Sequence, residues 1–316
     1  MPLIGYFKPR GPNGLGHNTT AEEATTGLNL TGKTFLLTGC NSGIGLETLR
    51  VLTLRGAHVL AMARTVDKAQ QALAGLSVPP ALGTPLACDL SEPASVRQAV
   101  RAVTAETARR GKPLDGIVAN AGIMALPRLE VKHGLELQFL TNHMGHFLLV
   151  TGLLGQLAPQ GRVVMLSSAA HRSAPAEGIQ FDNLDGARGY RAWRNYGQTK
   201  LANLLFARQL SHRLPQPGQT AHAVHPGVIN TPLWRYMPGV IQGLLKALLP
   251  FRALMLKTIA QGAATQCYVA AHPAAAQHNG AYWVDCNPAR SRALGEDPGL
   301  AERLWTRSEE LAARLP

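Results

Sequence analysis

The chain has 316 residues, 46% of them hydrophobic and 16% charged, which excludes bulk disorder and allows a core without disulfide or metal staples. The net charge is +12, but the basic residues are dispersed, with no long run and no nucleic-acid motif, so a nucleic-acid partner is not expected. Cys40, Cys88, Cys267 and Cys286 lack metal-ligand or disulfide spacing and read as small buried hydrophobes; no metal is expected.

Residues 1–30 read as an arm with one short helix. Pro2, Pro9 and Pro12 break its first stretch, leaving no apolar core of the length that export requires, so a cytoplasmic location is the default expectation. Thr19-Thr20-Ala21-Glu22-Glu23 has the form of a capping box, and Gly27 ends the helix it opens. From residue 31 to 290, short apolar runs alternate with helical patterns. Lys33–Gly39, Ala57–Ala63, Thr84–Cys88, Leu114–Ala119, Arg162–Ser168, Thr220–His225 and Gly280–Asp285 are strand-like. Between them Gly43–Arg55, Val66–Leu76, Glu92–Arg110, Leu135–Leu157, Arg194–Leu214 and a stretch near Ala260–Ala271 are helical. Such alternation implies right-handed crossovers. The expected fold class is α/β: a single doubly wound Rossmann-type domain with a seven-stranded parallel sheet, followed by a C-terminal helical extension over residues 291–316.

In such a sheet the ligand lies beyond the carboxyl ends of the strands. The first strand ends in Thr38-Gly-Cys-Asn-Ser-Gly-Ile-Gly45, where Gly39 permits a sharp turn and Gly43 and Gly45 allow close approach to a pyrophosphate at a helix N-terminus. The same glycines would also serve a plain strand–helix turn. At the end of the second strand an acid would favour NAD, whereas an arginine accommodates a 2′-phosphate. The sequence there is Ala61-Met-Ala-Arg64-Thr, so NADP(H) is expected, with Arg64 as the phosphate's partner. Asp89, after the third strand, suits either a contact to adenine or the cap of the next helix.

Tyr196 and Lys200 stand four residues apart, which puts both on one helix face about a turn apart. An ammonium so placed favours the phenolate, lowering the phenol pKa from about 10 toward the range of a general acid or base. A surface helix would also tolerate the pair, so the decision rests on the remaining sequence.

Several motifs occur together in order: Thr38-Gly-x-x-x-Gly-Ile-Gly45, Asp89, Asn120-Ala-Gly122, Asn142, Ser168, Tyr196-x-x-x-Lys200 and Pro226-Gly227. With them the chain resembles the short-chain dehydrogenase/reductase family from about Leu30 to Cys286. The stretches NHMGHFLL (142–149), SSAAHR (167–172), KLANLLFARQL (200–210), VHPG (224–227) and YWVDC (282–286) resemble its retinol-dehydrogenase-like branch. The resemblance implies catalytic roles for four residues. Tyr196 would be the acid or base and Lys200 would lower its pKa and hold the nicotinamide ribose. Ser168, rather than Ser167, would hydrogen-bond the substrate oxygen. Asn142 would help hold a water that links Lys200 to solvent. Asn120 would brace the central strands, and Thr231 would bind the carboxamide. Asn41, Ser42, Ile44, Leu90, Ala121, Gly122, Pro226, Gly227 and Ile229 complete the implied cofactor set.

Ser168 and Tyr196 are 28 positions apart, and the segment Ala170–Arg191 between them would cover the helix face that relatives use for oligomerisation; monomer and homodimer both remain open. His143, His146, His171 and His225 lack metal-ligand spacing and read as packing or hydrogen-bonded residues. Residues 232–257 read as a lid whose Trp234, Tyr236, Met237 and Phe251 suit a hydrophobic ketone, aldehyde or alcohol. Lys246, Arg252 and Lys257 beside that apolar stretch permit contact with a membrane surface, while Gln242, Lys246, Pro250 and Arg252 break it too often for a span. The function implied is an NADPH-dependent carbonyl reductase, reversible as an alcohol dehydrogenase. A non-catalytic NADP(H)-binding regulator of the same fold is the rival.

Overall fold

The computed structural model describes residues 8–229 and 256–316. The strand-like runs form one sheet: β1 (Thr34–Thr38), β2 (His58–Ala63), β3 (Gly83–Ala87), β4 (Leu114–Ala119), β5 (Leu157–Leu166), β6 (Thr220–His225), β7 (Tyr282–Val284) and β8 (Asn287–Ala289). Their spatial order is β3-β2-β1-β4-β5-β6-β7-β8, parallel throughout except for β8. The strand order reverses between β1 and β4, so a crevice opens at their carboxyl ends.

The helices are α1 (Ala21–Ala24), α2 (Gly43–Leu54), α3 (Val66–Gly75), α4 (Pro93–Arg110), α5 (Gly145–Leu153), α6 (Ala192–Ser211), α7 (Ile259–Ala271) and α8 (Pro298–Arg314). The capping box at α1 is formed: Thr20 Oγ1 accepts from Glu23 N at 3.2 Å, and the Glu23 carboxylate accepts from Thr20 N at 2.8 Å. Apolar side chains fill both faces of the sheet. Leu49, Leu52, Leu37, Val118, Tyr268 and Trp283 pack on the side of α2, α3 and α7; Leu36, Ile117, Leu149, Leu205 and Trp305 pack on the side of α4, α5, α6 and α8. Burial on both faces explains why β1 and β2 are continuous apolar runs rather than alternating ones.

Among the described residues the sheet has eight strands where the sequence pattern predicts seven. Asp285 and Cys286, at φ +53° and +63°, make a two-residue reversal that returns the chain antiparallel along β7. The usual Asn-Gly signal for that turn is missing, and Pro288 fits a strand only because β8 lies at the edge. The helix expected over 135–157 is also divided. Leu135–Glu136 pairs with Val131–Lys132 in a small ribbon, helical turns follow at Leu137–Phe139, and a π turn spans Leu140–Met144 before α5. A 3₁₀ turn, Leu154–Gln156, then leads into β5 at Leu157, five residues before the expected strand.

Candidate active site

The turn after β1 is shaped by lack of space. Gly39 has φ +70°, and a β-carbon on Gly45 would lie 2.0 Å from the Gly39 carbonyl oxygen and 2.5 Å from Asn120 Nδ2. Loop and helix therefore touch backbone to backbone. Ser42, the N-cap of α2, makes no capping bond with its side chain, and no acid occupies the first turn, so the N–H groups there stay available to an anion. Beside the loop, Asn41, Leu46, Lys68 and Gln71 line a small cleft between α2 and α3. This uncapped, acid-free helix start fits the pyrophosphate of a dinucleotide.

Asn120 does brace neighbouring strands. Its Nδ2 donates to Thr38 O at 2.8 Å, its backbone N to Thr38 Oγ1 at 2.9 Å, and its Oδ1 accepts from Gln266 Nε2 at 3.2 Å. Ala121 N donates to the same Thr38 hydroxyl at 3.0 Å. Leu90 is buried, its carbonyl lying against Gly145 at the start of α5. Arg64 stands exposed at the end of β2 with Nε 3.7 Å from Asp89 Oδ2. Asp89 Oδ1 accepts from Ser91 N at 3.0 Å and from Ser91 Oγ at 2.7 Å. It therefore closes the turn ahead of α4, whose N-cap is Glu92, and offers its other oxygen to Arg64.

Tyr196, Lys200, Ser168 and Asn142 come together at the carboxyl ends of β4 and β5. Lys200 Nζ donates to Leu166 O at 3.1 Å and lies 5.6 Å from the Tyr196 ring centroid. Asn142, in the π turn, is fully buried; its amide clasps the backbone of Ile123 and donates to Thr199 Oγ1 at 3.1 Å. Gly122 lies between these groups, since a β-carbon there would sit 3.1 Å from Asn142 Oδ1 and 3.6 Å from Lys200 Nζ. The two serines divide their tasks. Ser167 Oγ donates to Lys200 O at 2.7 Å and ties β5 to α6, whereas Ser168 Oγ accepts from Ala170 N at 3.1 Å and lies against the Tyr196 hydroxyl.

Burial pushes the Tyr196 phenol up to about 12, opposed by the contact with Ser168. Burial also brings the Lys200 ammonium down to about 8. The expected net lowering of the phenol pKa is not seen, because burial outweighs the stabilising contact with Ser168; the Lys200 ammonium is held on the Leu166 carbonyl.

A family model described as short chain dehydrogenase matches residues 33–238. The chain belongs to that family. It is 40% identical to "Short-chain dehydrogenase TIC 32 B, chloroplastic" of Brassica napus over 100% of both chains. It is 37% identical to "Retinol dehydrogenase 12" of Mus musculus over 91% of this chain and 88% of the relative. The crystal structure of an uncharacterized protein from Mycobacterium Paratuberculosis superposes with a TM-score of 0.72 at 29% identity, covering 93% and 98% of the two chains. This short-chain dehydrogenase thus belongs to an oxidoreductase family that binds nicotinamide cofactors, and to its retinol-dehydrogenase-like branch.

Other residues of this short-chain dehydrogenase come to light only in the fold. Thr38 Oγ1 lies 3.0 Å from His146 Nε2, and His146 Nδ1 lies 3.0 Å from Asn142 O, so a buried imidazole joins β1 to the π turn. Burial lowers the His146 pKa to about 4, which keeps it neutral. His225 Nδ1 accepts from Ala169 N at 3.1 Å and from Gly227 N at 3.4 Å, linking the loop after β6 to the residue after Ser168. Ile44 and Ile229 converge on Gly262 of α7. Pro226 and Gly227 lead into this stretch, and Lys257 N donates to Val228 O at 2.9 Å. The Lys257 ammonium, buried, pairs with Asp285 at 2.6 Å. Lys257 therefore fastens the end of the lid stretch instead of facing a membrane. Thr231 and residues 232–255, with Trp234, Tyr236, Met237, Lys246, Phe251 and Arg252, lie outside the described residues. Among the described residues no helix is long and apolar enough to cross a membrane.

The segment between Ser168 and Tyr196 does lie on α6, with Gln180 N donating to Gln198 Oε1 at 2.8 Å. The C-terminal helix shares that work. Trp305 of α8 stacks on Phe206 of α6 with centroids 5.6 Å apart, and Ser308 Oγ meets His143 Nε2 at 2.9 Å.

Proposed function

We propose that this short-chain dehydrogenase is an NADPH-dependent carbonyl reductase, reversible as an alcohol dehydrogenase, acting on a hydrophobic ketone, aldehyde or alcohol. The observation that carries the reading is the placement of Tyr196, with the Ser168 hydroxyl at its own hydroxyl and the Lys200 ammonium over its ring. When bound, the dinucleotide supplies or accepts the hydride. The chain's task is to hold a carbonyl oxygen and to move one proton at that oxygen. Tyr196 donates it, Ser168 hydrogen-bonds the same oxygen, and Lys200 lies within the site to hold ribose hydroxyls. A phenol raised to about 12 stays protonated at neutral pH, as a proton donor must be.

Arg64 would take the 2′-phosphate, and Lys68, facing the cleft beside Asn41, adds a second cation nearby. Asn142 and Asn120 hold the loop after β4 in place; the former would also help hold the water on which Lys200 depends. The test is NADPH consumption with a panel of hydrophobic ketones and aldehydes, run beside NADH. Turnover on at least one of them, faster with NADPH, is expected. Tight NADPH binding without turnover on any would favour a regulator instead.

A further inference from the structure

Trp193 stands one turn before Tyr196 on α6, and its indole lies perpendicular to the phenol ring, with centroids 6.0 Å apart and an interplanar angle of 86°. It is 45% exposed, whereas Trp283 and Trp305 are buried. Among the described residues its indole N–H makes no hydrogen bond, and its ring meets no aromatic side chain besides Tyr196. Among the described residues this large apolar surface therefore has little to do.

The spacing supplies a reason. Trp193, Tyr196 and Lys200 follow one another at i, i+3 and i+7, which places them on one stripe of the helix. Along it exposure falls from 45% at Trp193 to 7% at Tyr196 and 4% at Lys200. The stripe runs from solvent inward, with the phenol in the middle. A carbonyl whose oxygen reaches the hydroxyls of Tyr196 and Ser168 must leave the rest of its molecule on the solvent side, where the indole stands. Aromatic rings meeting a flat apolar group favour offset or edge-on stacking.

We infer that Trp193 is a substrate-recognition residue, and that it selects carbonyl compounds bearing a flat aromatic or conjugated group next to the C=O. This rests on the reading of Tyr196 as the group that faces the substrate oxygen. Two arms keep the two ideas apart. In turnover with NADPH, Trp193→Ala should lower the ratio of kcat/KM for 2-naphthaldehyde to that for butanal by about tenfold, the size of a lost apolar contact. Trp193→Phe should restore most of the ratio. In the binding arm, NADPH-loaded Tyr196→Phe protein is titrated with 2-naphthaldehyde without turnover, and adding Trp193→Ala should raise Kd at least about fivefold. An unshifted Kd, or no binding of 2-naphthaldehyde before Trp193 is changed, would overturn the inference whatever the activity. Binding that shifts as described, when the unaltered protein reduces no carbonyl of the panel, would support the inference and count against the carbonyl-reductase reading.

Discussion

The carbonyl oxygen of Ala170 fills the space beside Gly197, 2.5 Å from where a β-carbon would sit, with Ala174 N at 2.8 Å and Ser173 C at 2.9 Å from the same point. The segment that follows Ser168 thereby rests directly on α6, one residue past Tyr196. Because backbone meets backbone, neither side can yield by a rotamer change. This contact sets the segment that follows Ser168 against the helix that carries Tyr196.

Gly197→Ala should therefore injure chemistry more than cofactor binding. Overpacking of this kind costs about 1–3 kcal/mol of stability. Small misplacements of reacting groups cost up to about a hundredfold in rate. A fall in kcat of about tenfold or more is expected, with NADPH affinity changed far less. An unchanged kcat in steady-state kinetics would show that the alignment of Ser168 does not depend on this packing.

Asp285→Asn isolates the charge of the buried pair with Lys257, since asparagine tolerates the φ of +53° at this position. It leaves an ammonium buried without its counter-ion, for which a loss of about 3–5 kcal/mol is expected. Adding Lys257→Met should recover a large part. Urea unfolding of the two variants measures this, and equal stabilities would deny the pair its role.

Arg64→Asp should raise the Kd for NADPH at least about tenfold, the scale of a charged hydrogen bond, and leave NADH binding nearly as it was. It removes a cation at the end of β2 and sets a second carboxylate near Asp89. Isothermal titration with both cofactors checks it; parallel losses for the two would contradict the assignment of NADP(H).

Acid should destabilise the fold well above the carboxylate range. Burial lowers His146 and His225 to about 4, and His143 and His222 to about 3. An unfolded histidine titrates near 6.5, so between about 4 and 6.5 the unfolded chain binds more protons. Stability is then full above about pH 6.5 and falls as pH drops, by up to about 1.4 kcal/mol per unit for each histidine. Asp285 adds a loss lower down. Burial alone would raise its pKa, but Lys257 more than offsets this and holds the carboxyl below its ordinary range. The urea midpoint should be clearly lower at pH 5.5 than at pH 7.5; equal midpoints would mean that the buried imidazoles do not need to stay neutral.

The alternation of apolar runs and helical patterns was enough to predict a doubly wound parallel sheet, because strands buried on both faces must be apolar along their whole length. It missed β8, whose turn uses Asp285 and Cys286 in a conformation better suited to Asn and Gly. It also ran one helix through Leu135–Leu157, since apolar periodicity does not register a π turn or a two-residue strand. The candidate site was legible where local motifs carry it: Ser168, Tyr196, Lys200 and Asn142 do meet. Partners that are distant in sequence were not. His146 between Thr38 and Asn142, and Lys257 on Asp285, depend on which faces the packing brings together. The phenol pKa went astray for a similar reason, as the four-residue spacing shows a nearby ammonium but not the burial that outweighs it.

The central claim is that Tyr196 delivers the proton to the substrate oxygen. Its most direct test is single-turnover NADPH oxidation by Tyr196→Phe with a hydrophobic carbonyl that the unaltered protein reduces, followed by stopped flow beside a titration of NADPH. A rate lowered by about a hundredfold or more, the usual scale of a general acid, with NADPH Kd nearly unchanged, is the expected result. Turnover within tenfold of the unaltered protein would contradict it.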